Sequence, residues 1–439
     1  MATILAKLNP TEERVTASAV GDPIITSDTI QYRKNIRNLS ADELAALREA
    51  FIKIYEINDD RGYQYLAGIH GAPPPVYCTH GSALFAVWHR PYIYWLEKAL
   101  QDQVPGVMLP YWDWTSEISI RDGMPAAFTD ETWINSVTGL TETNPLLKAN
   151  IEFQGSQFSE TSRNPSNPSQ LRSLANGVRR AQQIATDYSR YSLAIEQPHN
   201  GLHGWVGGTM GRIDYAAYDP IFWAHHANVD RQFAEWQALH PNIVPTDDIW
   251  NEVLRPFNLT TADIWDTKAL GYEYITSEIA PPPVVTASAA APSKFIAPVV
   301  GFALGDLDRN FEQAELQFHN VKHPRNSFEM RVFLNQPDAD ASTLIDNNNN
   351  YAGSLYFFGH GECSGDVGHC DPDRIRRGKF DLRPASHIAP FKLYLDTTEC
   401  LRNLSNEGEV TVKLVAVDSD GNQVENPGTD FDAIALVTR

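Results

Sequence analysis

Six of the thirteen histidines fall into two groups of three whose spacing suits metal binding. The groups are His70, His80 and His89, and then His199, His203 and His226. His199 and His203 are four residues apart, so on a helix both imidazoles project from one face towards one point. An isolated pair of this kind is more often two surface histidines. Here aromatic and apolar residues flank both groups, and buried nitrogens need partners, so we predict two all-histidine metal sites.

The ligand set favours copper. Six nitrogen ligands without a carboxylate disfavour magnesium, calcium, manganese and carboxylate-bridged iron, and suit copper or zinc. Zinc sites more often include an aspartate, a glutamate or a cysteine, and rarely occur as two all-histidine sites. We therefore predict two copper ions.

The residues that must position these histidines are mainly helical. Residues 40–56 predict a helix that Ser40 and Glu43 cap, with its leucines on one face. Further helices are predicted at 83–101, 172–196 and 218–239. We expect a mainly α-helical domain over residues 1–278, built around a four-helix bundle that holds both copper ions.

The composition changes after this region. Residues 279–298 are rich in proline, alanine and serine and predict a linker. The chain then contains short alternating runs typical of strands, among them "AELQFHNV", "SFEMRVFLN", "GSLYFFGH", "FKLYLD" and "EVTVKLVAV", the last followed by an Asp-Gly turn signal. Residues 299–439 therefore predict a β-sandwich domain.

Charge and targeting signals limit the partners. The 55 acidic against 35 basic side chains give a net charge of −20, which argues against nucleic acid or an anionic membrane as partner. No apolar run is long enough to span a bilayer. The N-terminus has no secretory signal, so we expect a cytoplasmic protein, or a secreted one if a leader has been trimmed.

The motifs around the histidines resemble those of the type-3, coupled binuclear copper proteins: tyrosinases, catechol oxidases and molluscan hemocyanins. "HGSALFAVWHRPYIYWLEKAL" is similar to the signature of the first copper site, CuA. "PHNGLHGWVGGTMGRIDYAAYDPIFWAHHANVDRQFAEWQ" is similar to that of the second, CuB. "LPYWDW" (109–114) and "YRKNIRNLSADEL" (32–44) also look like elements of this family.

The resemblance assigns roles to named residues. CuA would be held by His70, His80 and His89, and CuB by His199, His203 and His226. Periodicity does not choose between His225 and His226, but the family pattern gives the ligand role to His226. Cys78 stands two residues before His80, as in members that join this pair by a thioether. A buried free cysteine and a thiolate ligand are the alternatives.

Residues around CuB would set the reaction. Glu196 and Asn200 resemble the pair that holds a water in members that hydroxylate monophenols; otherwise Glu196 caps the start of a 199–203 helix and Asn200 packs. Ile213 aligns with a gate position over CuA. Phe222 would stack over a bound phenol, or would pack in the core.

The C-terminal domain is similar to the lid of latent polyphenol oxidases and of hemocyanin units, where a side chain plugs the copper site. Cys363 and Cys370, in "GECSGDVGHC", could close a turn by a disulfide or hand copper to the site. Their separation is wider than in the family's copper-delivering motif, which favours the disulfide.

The resemblance implies a copper-dependent phenol oxidase that hydroxylates monophenols and oxidises o-diphenols. Its partners would be phenolic small molecules and O2. The alternatives are a catechol oxidase without monophenol activity, a hemocyanin-like oxygen carrier, and a remnant with an empty site. All six ligand positions are filled, which disfavours the remnant. Carriers usually join many such units and carry a leader, which favours an enzyme.

Overall fold

The computed structural model describes residues 30–72, 76–135, 138–152, 159–275, 300–303, 311–360, 390–404, 409–429, 431 and 433–438. Within these ranges the α-helices are α1 Ala41–Tyr55, α2 Tyr63–Gly68, α3 Phe85–Gln103, α4 Glu117–Asp122, α5 Ala126–Thr129, α6 Leu171–Gln182, α7 Tyr188–Val206, α8 Pro220–Leu239, α9 Asp247–Trp250, α10 Thr261–Ile264 and α11 Thr398–Asn403. None of them combines the length and the apolar surface that crossing a bilayer requires.

The strands are short before residue 300 and longer after it. They are β1 Gln31–Arg33, β2 Thr132–Ile134, β3 Thr141–Thr143, β4 Asn150–Ile151, β5 Ser159–Glu160, β6 Val253–Leu254, β7 Leu259–Thr260, β8 Tyr272–Tyr274, β9 Val300–Ala303, β10 Ala314–Val321, β11 Phe328–Leu334, β12 Tyr351–Phe357, β13 Phe391–Asp396, β14 Glu409–Val417 and β15 Ala433–Thr438.

The predicted helices form, with one correction. Ser40 and Glu43 make a reciprocal capping box at the start of α1, as predicted. The single helix predicted at 172–196 is wrong, because the chain breaks there into α6 and α7. Asp187 adopts an extended conformation and its side chain caps α7 by accepting the Arg190 N–H. α7 then runs through Pro198 to Val206, so the interpretation of Glu196 as the start of a 199–203 helix is also wrong.

A buried charge network joins the two long helices α3 and α8. Arg90 Nε donates to Asp230 Oδ1 at 2.6 Å, and both side chains are almost fully buried. The hydroxyls of Tyr272 and Tyr274 donate to the other oxygen of Asp230, each at 2.6 Å. A buried charge that loses its partner costs several kcal/mol, so this network holds α3 and α8 in one alignment.

The C-terminal strands form two antiparallel sheets in the described residues. One has the order β13-β10-β15 and the other β12-β11-β14-β9. Leu316 on β10 and Val332 on β11 belong to one hydrophobic cluster, so both sheets contribute to a common core. The predicted runs 314–321 and 391–396 are the strands β10 and β13. The sandwich lid and the domain boundaries stay predictions, and the linker 279–298 lies outside the described residues.

The C-terminal sheets pack on the helical part next to α7. Arg190 on α7 makes a two-pronged ion pair with Glu315 on β10, with nitrogen–oxygen distances of 2.8 and 2.9 Å. Ser327 Oγ donates to the carbonyl of Gly211 at 2.8 Å. On β12, the backbone of Tyr356 is hydrogen-bonded to Gln197 and Asn200, so the sheet that contains β12 lies over the helix that carries His199 and His203.

Candidate metal centre

The fold brings all six predicted histidines together. His89 lies on α3, His199 and His203 on α7, and His226 on α8. His70 follows α2, and His80 lies in the segment before α3. We call His70, His80 and His89 the first triad, and His199, His203 and His226 the second triad. In each triad, one ring nitrogen of each histidine lies within 4.8 Å of one ring nitrogen of the other two.

The two triads face each other across a small gap. The rings of His89 and His226 are stacked with centroids 4.5 Å apart, and those of His80 and His199 lie 5.7 Å apart. Apart from His80, these rings are at most 3% exposed. The chain therefore places two three-nitrogen sites side by side in its interior.

Hydrogen bonds from Nδ1 fix which nitrogen faces the centre in four of the six rings. Four Nδ1 atoms have an oxygen partner: His70 with Ile213 O at 3.0 Å, His89 with Phe85 O at 2.8 Å, His203 with Met210 O at 2.9 Å, and His199 with Asn200 Oδ1 at 3.0 Å. These oxygens accept a proton from Nδ1, so Nε2 keeps its lone pair.

The free Nε2 atoms point at one another. Nε2 of His70 and of His89 is buried without a hydrogen-bond partner, as are both ring nitrogens of His80. Nε2 of His199 lies 3.1 Å from Nε2 of both His203 and His226. Buried lone pairs that converge in this way are costly unless a cation lies between them. This arrangement fits metal ligation.

Burial keeps these rings neutral. It lowers the pKa of His89 and of His203 to about 3, and lowers the pKa of His70, His80, His199 and His226 well below the usual value. A neutral imidazole has the lone pair that a metal requires, so the triads need release no proton to bind an ion.

A fourth ring, His225, touches the second triad but is oriented differently. Trp114 Nε1 donates to His225 Nδ1 at 3.0 Å. Indole nitrogen is only a donor, so the neutral His225 ring carries its proton on Nε2 and has no lone pair to offer there. This hydrogen bond distinguishes the two adjacent histidines and favours His226 over His225 as the metal ligand. Trp114 itself lies in the "LPYWDW" motif.

These observations define the class of site. Among the described residues, the candidate metal-binding groups consist of histidines alone. Two facing sets of neutral imidazoles suit two copper ions better than zinc or a hard cation. The site is a binuclear copper centre of the type-3 kind.

Comparison with known proteins agrees with this class. Residues 60–239 match the family model of the common central domain of tyrosinase. Residues 60–239 are thus a tyrosinase-type central domain, and the hemocyanin relatives and similar structures support the type-3 copper protein family that the motifs predict.

The similar sequences include hemocyanins of molluscs. The chain is 34% identical over 267 residues to the G-type hemocyanin of Enteroctopus dofleini, a match that covers 55% of this chain and 9% of that protein. It is 33% identical over 253 residues to hemocyanin type 2 unit e of Rapana venosa, covering 52% of this chain and 60% of the relative. The chain thus spans less than two thirds of each of these relatives.

Solved structures share the fold over nearly the whole chain. A deoxygenated hemocyanin of Rapana thomasiana has a TM-score of 0.65 at 23% identity and covers 94% of this chain and 100% of its own. A tyrosinase of Burkholderia thailandensis has a TM-score of 0.61 at 19% identity, covering 92% and 100%. A latent aurone synthase, a polyphenol oxidase, has a TM-score of 0.66 at 18% identity, covering 95% and 91%.

Glu196 and Asn200 lie on α7 beside the second triad, and their role in holding a water stays a prediction. Both carboxylate oxygens of Glu196 accept the Gly81 N–H, at 2.8 and 2.9 Å. Burial raises the pKa of Glu196 to about 8, although the bonds from Gly81 and Asn200 oppose the rise. A carboxyl with a pKa near neutrality suits proton transfer.

The buried Glu196 makes the stability of the metal-free protein depend on pH. Between about pH 5 and pH 8 the folded Glu196 keeps a proton that the unfolded carboxyl, with its ordinary pKa of 4.5, has released. The folded state then binds more protons, so its free energy of unfolding should fall as the pH rises. Relative to Glu196→Gln, the free energy of unfolding should fall by up to about 1.4 kcal/mol per pH unit.

Urea unfolding of both proteins at several pH values across this window measures that difference. The neutral histidines contribute equally to both proteins, so the comparison isolates Glu196. Stability curves that stay parallel would contradict the raised pKa.

Ile213 lies against the first triad, and Phe222 packs on rings of both triads. Ile213 is buried, its carbonyl accepts the His70 Nδ1 proton, and its own N–H donates to Gly359 O at 3.1 Å. Phe222 is fully buried, with its ring centroid 4.1 Å from that of His226 and 4.9 Å from that of His70. Its packing on the ligand rings agrees with the core interpretation, and contact with a phenol stays a prediction.

The cysteines leave their predictions open. Cys78 is buried and forms no disulfide, and burial raises the pKa of its thiol. It belongs to neither cluster of candidate metal-binding groups, which disfavours a thiolate ligand. The thioether between Cys78 and His80 stays a prediction. Cys363 and Cys370 lie outside the described residues.

Sequence reasoning missed Phe358, which covers the site. Its ring stacks on His203 with centroids 4.0 Å apart and also contacts His80 and His199. The strand motif contained a signal. Leu355 and Phe357 belong to the core of the sheets, whereas Tyr356 and Phe358 belong to the helical core, so both faces of this strand are apolar and buried.

Proposed function

We propose that this protein is a copper-dependent phenol oxidase. It would use O2 to hydroxylate monophenols and to oxidise o-diphenols to o-quinones. The net reactions balance as one monophenol and one O2 giving one o-quinone and one water, or two o-diphenols and one O2 giving two o-quinones and two waters. The observation that carries the proposal is the pair of facing triads, whose free nitrogens converge beside the buried carboxyl of Glu196.

Each part of the site has a task in this reaction. The two copper ions, when bound, supply the electrons and the coordination by which O2 is activated. The first and second triads hold them in place through neutral nitrogens. A phenol has an ordinary pKa of about 10 and needs an acceptor for its proton near neutral pH. Glu196 would be that acceptor, since the positive charge of bound copper favours its ionised form.

Replacing Glu196 by glutamine should reduce hydroxylation of a monophenol more than oxidation of an o-diphenol. Loss of a general base costs on the order of 10²-fold or more. An o-diphenol loses its first proton more easily, because its second hydroxyl hydrogen-bonds the resulting oxyanion. Initial rates on a phenol and a catechol give the ratio. Glu235→Gln is the matched control. Glu235 lies on α8 and pairs with Arg231, and burial also raises the pKa of its carboxyl. Equal loss of both activities would remove the reason for preferring a monophenol hydroxylase over a catechol oxidase.

The C-terminal sheets would act as a lid that keeps the full chain latent. Phe358 occupies the space over His203, and the similar polyphenol oxidase is described as latent. Copper-loaded protein should oxidise a phenol and a catechol faster after cleavage within 279–298. Equal rates before and after cleavage would refute latency.

An oxygen carrier is the second candidate, favoured by the hemocyanin relatives at 33–34% identity. The Phe358 ring over the site would admit O2 more readily than a phenol. The closed arrangement therefore suits an oxygen carrier as well as a latent oxidase. Reversible oxygenation without catechol turnover, even after cleavage, would establish the carrier.

A further inference from the structure

One residue of the C-terminal sheets, Tyr356, is held by three side chains of the helical part. Its N–H donates to Gln197 Oε1 at 3.0 Å, and its carbonyl accepts from Asn200 Nδ2 at 3.2 Å. Its hydroxyl shares a hydrogen bond of 2.9 Å with Ser173 Oγ. We call Ser173, Gln197, Asn200 and Tyr356 the Tyr356 clasp.

The clasp covers the edge of a sheet. In the described residues β12 is an outer strand, so the backbone groups that it turns away from β11 need partners. Gln197 and Asn200, three residues apart on α7, provide an acceptor and a donor in place of a further strand. Gly201 allows the approach, because a Cβ there would lie 2.8 Å from the Tyr356 ring.

Both ends of the Asn200 amide are engaged in this closed arrangement. Its Oδ1 accepts from Nδ1 of the copper ligand His199 at 3.0 Å. Its Nδ2 donates to the Tyr356 carbonyl at 3.2 Å. An amide has only two N–H donors. While the clasp is closed, the N–H that Tyr356 accepts is therefore not available to a water beside the second triad.

We propose that the C-terminal sheets control phenol hydroxylation through two separate contacts, Phe358 for access and the Tyr356 clasp for Asn200. Removing Phe358 alone would admit substrate and leave Asn200 bound to Tyr356. Opening the clasp releases one Asn200 N–H, which then holds the water that passes the phenol proton to Glu196. Oxidation of o-diphenols needs access alone, whereas hydroxylation of monophenols needs both. This inference rests on the proposed phenol oxidase activity.

The test compares three full-length, copper-loaded variants. Phe358→Ala removes the ring and keeps the clasp. Phe358→Ala/Ser173→Ala/Gln197→Ala removes two clasp partners that touch neither a copper ligand nor Glu196 in the contacts above. Phe358→Ala/Arg190→Ala is the control, since it breaks the ion pair with Glu315 elsewhere in the same interface.

The ratio of monophenol to catechol turnover should rise about fivefold in the clasp variant over Phe358→Ala, since one neutral hydrogen bond is worth about that factor. The control should leave the ratio unchanged. An equal rise in the control, or no rise in the clasp variant, would overturn the proposal.

Hydrogen exchange of the Tyr356 amide in the metal-free proteins provides an independent readout. The amide should exchange at least about fivefold faster in the clasp variant than in the other two, because its acceptor Gln197 is gone. Unchanged exchange would overturn the clasp. If the clasp variant exchanges faster but no variant oxidises either phenol, the proposed oxidase fails while the clasp contact itself stands.

Discussion

Replacing His226 by glutamine should leave one copper ion per chain where the unaltered protein binds two, whereas replacing the adjacent His225 should leave both. Nε2 of His226 converges with that of His199, but His225 uses its Nδ1 lone pair to accept the Trp114 N–H. Glutamine at 225 can still accept that hydrogen bond. We expect catechol turnover to fall by on the order of 10²-fold or more in His226→Gln, because the reaction needs both ions.

Elemental analysis after dialysis measures the copper in each variant, with Trp114→Phe as a further control that removes only the indole donor. Loss of a partner outside the ligand set weakens metal affinity by about 10–100-fold, so His225→Gln should still fill both sites at saturating copper. One ion in His225→Gln and two in His226→Gln would reverse the assignment.

Replacing Phe358 by alanine should raise catechol turnover by the uncut, copper-loaded chain at least tenfold, an order-of-magnitude expectation for a blocked site that becomes open. The ring is 5% exposed and stacks on His203, so its removal opens a space next to the second triad. The apparent KM for catechol should also fall, since access is what changes.

Phe357→Ala is the matched control for this variant. Phe357 is equally buried, but its ring stacks on Phe328 inside the sheets, with centroids 4.6 Å apart. Both truncations should cost about 3–5 kcal/mol of stability. If both raise the rate equally, loosening of the sheets explains activation, and the account of Phe358 as the plug is wrong.

Much of the ligand set could be predicted from the sequence because its determinants are local. The spacing of His199 and His203 matters only on a helix, and "EQPHNGLHGWV" forms one. Ser40 and Glu43 lie within one turn, so their capping box is visible in the sequence. The strands β10 and β13 are equally local patterns of alternating residues.

Features that depend on contacts between distant residues could not be predicted in this way. The break between α6 and α7 follows from the extended conformation of Asp187, within a stretch whose composition favours helix. Trp114 meets His225 across 111 residues, and only that contact shows which adjacent histidine lacks a free lone pair. Phe358, which directly follows β12, reaches His203 on α7. The pattern of this strand indicated that both of its faces are buried, but not which residues each face contacts.

Copper positions in crystals of the copper-loaded protein test the central claim most directly. Anomalous diffraction at the copper edge should show two ions, one in each triad, with three Nε2 atoms at about 2.0–2.1 Å from each, the usual metal–imidazole distance. A single ion, or an ion bound through His225 in place of His226, would contradict the binuclear centre described above.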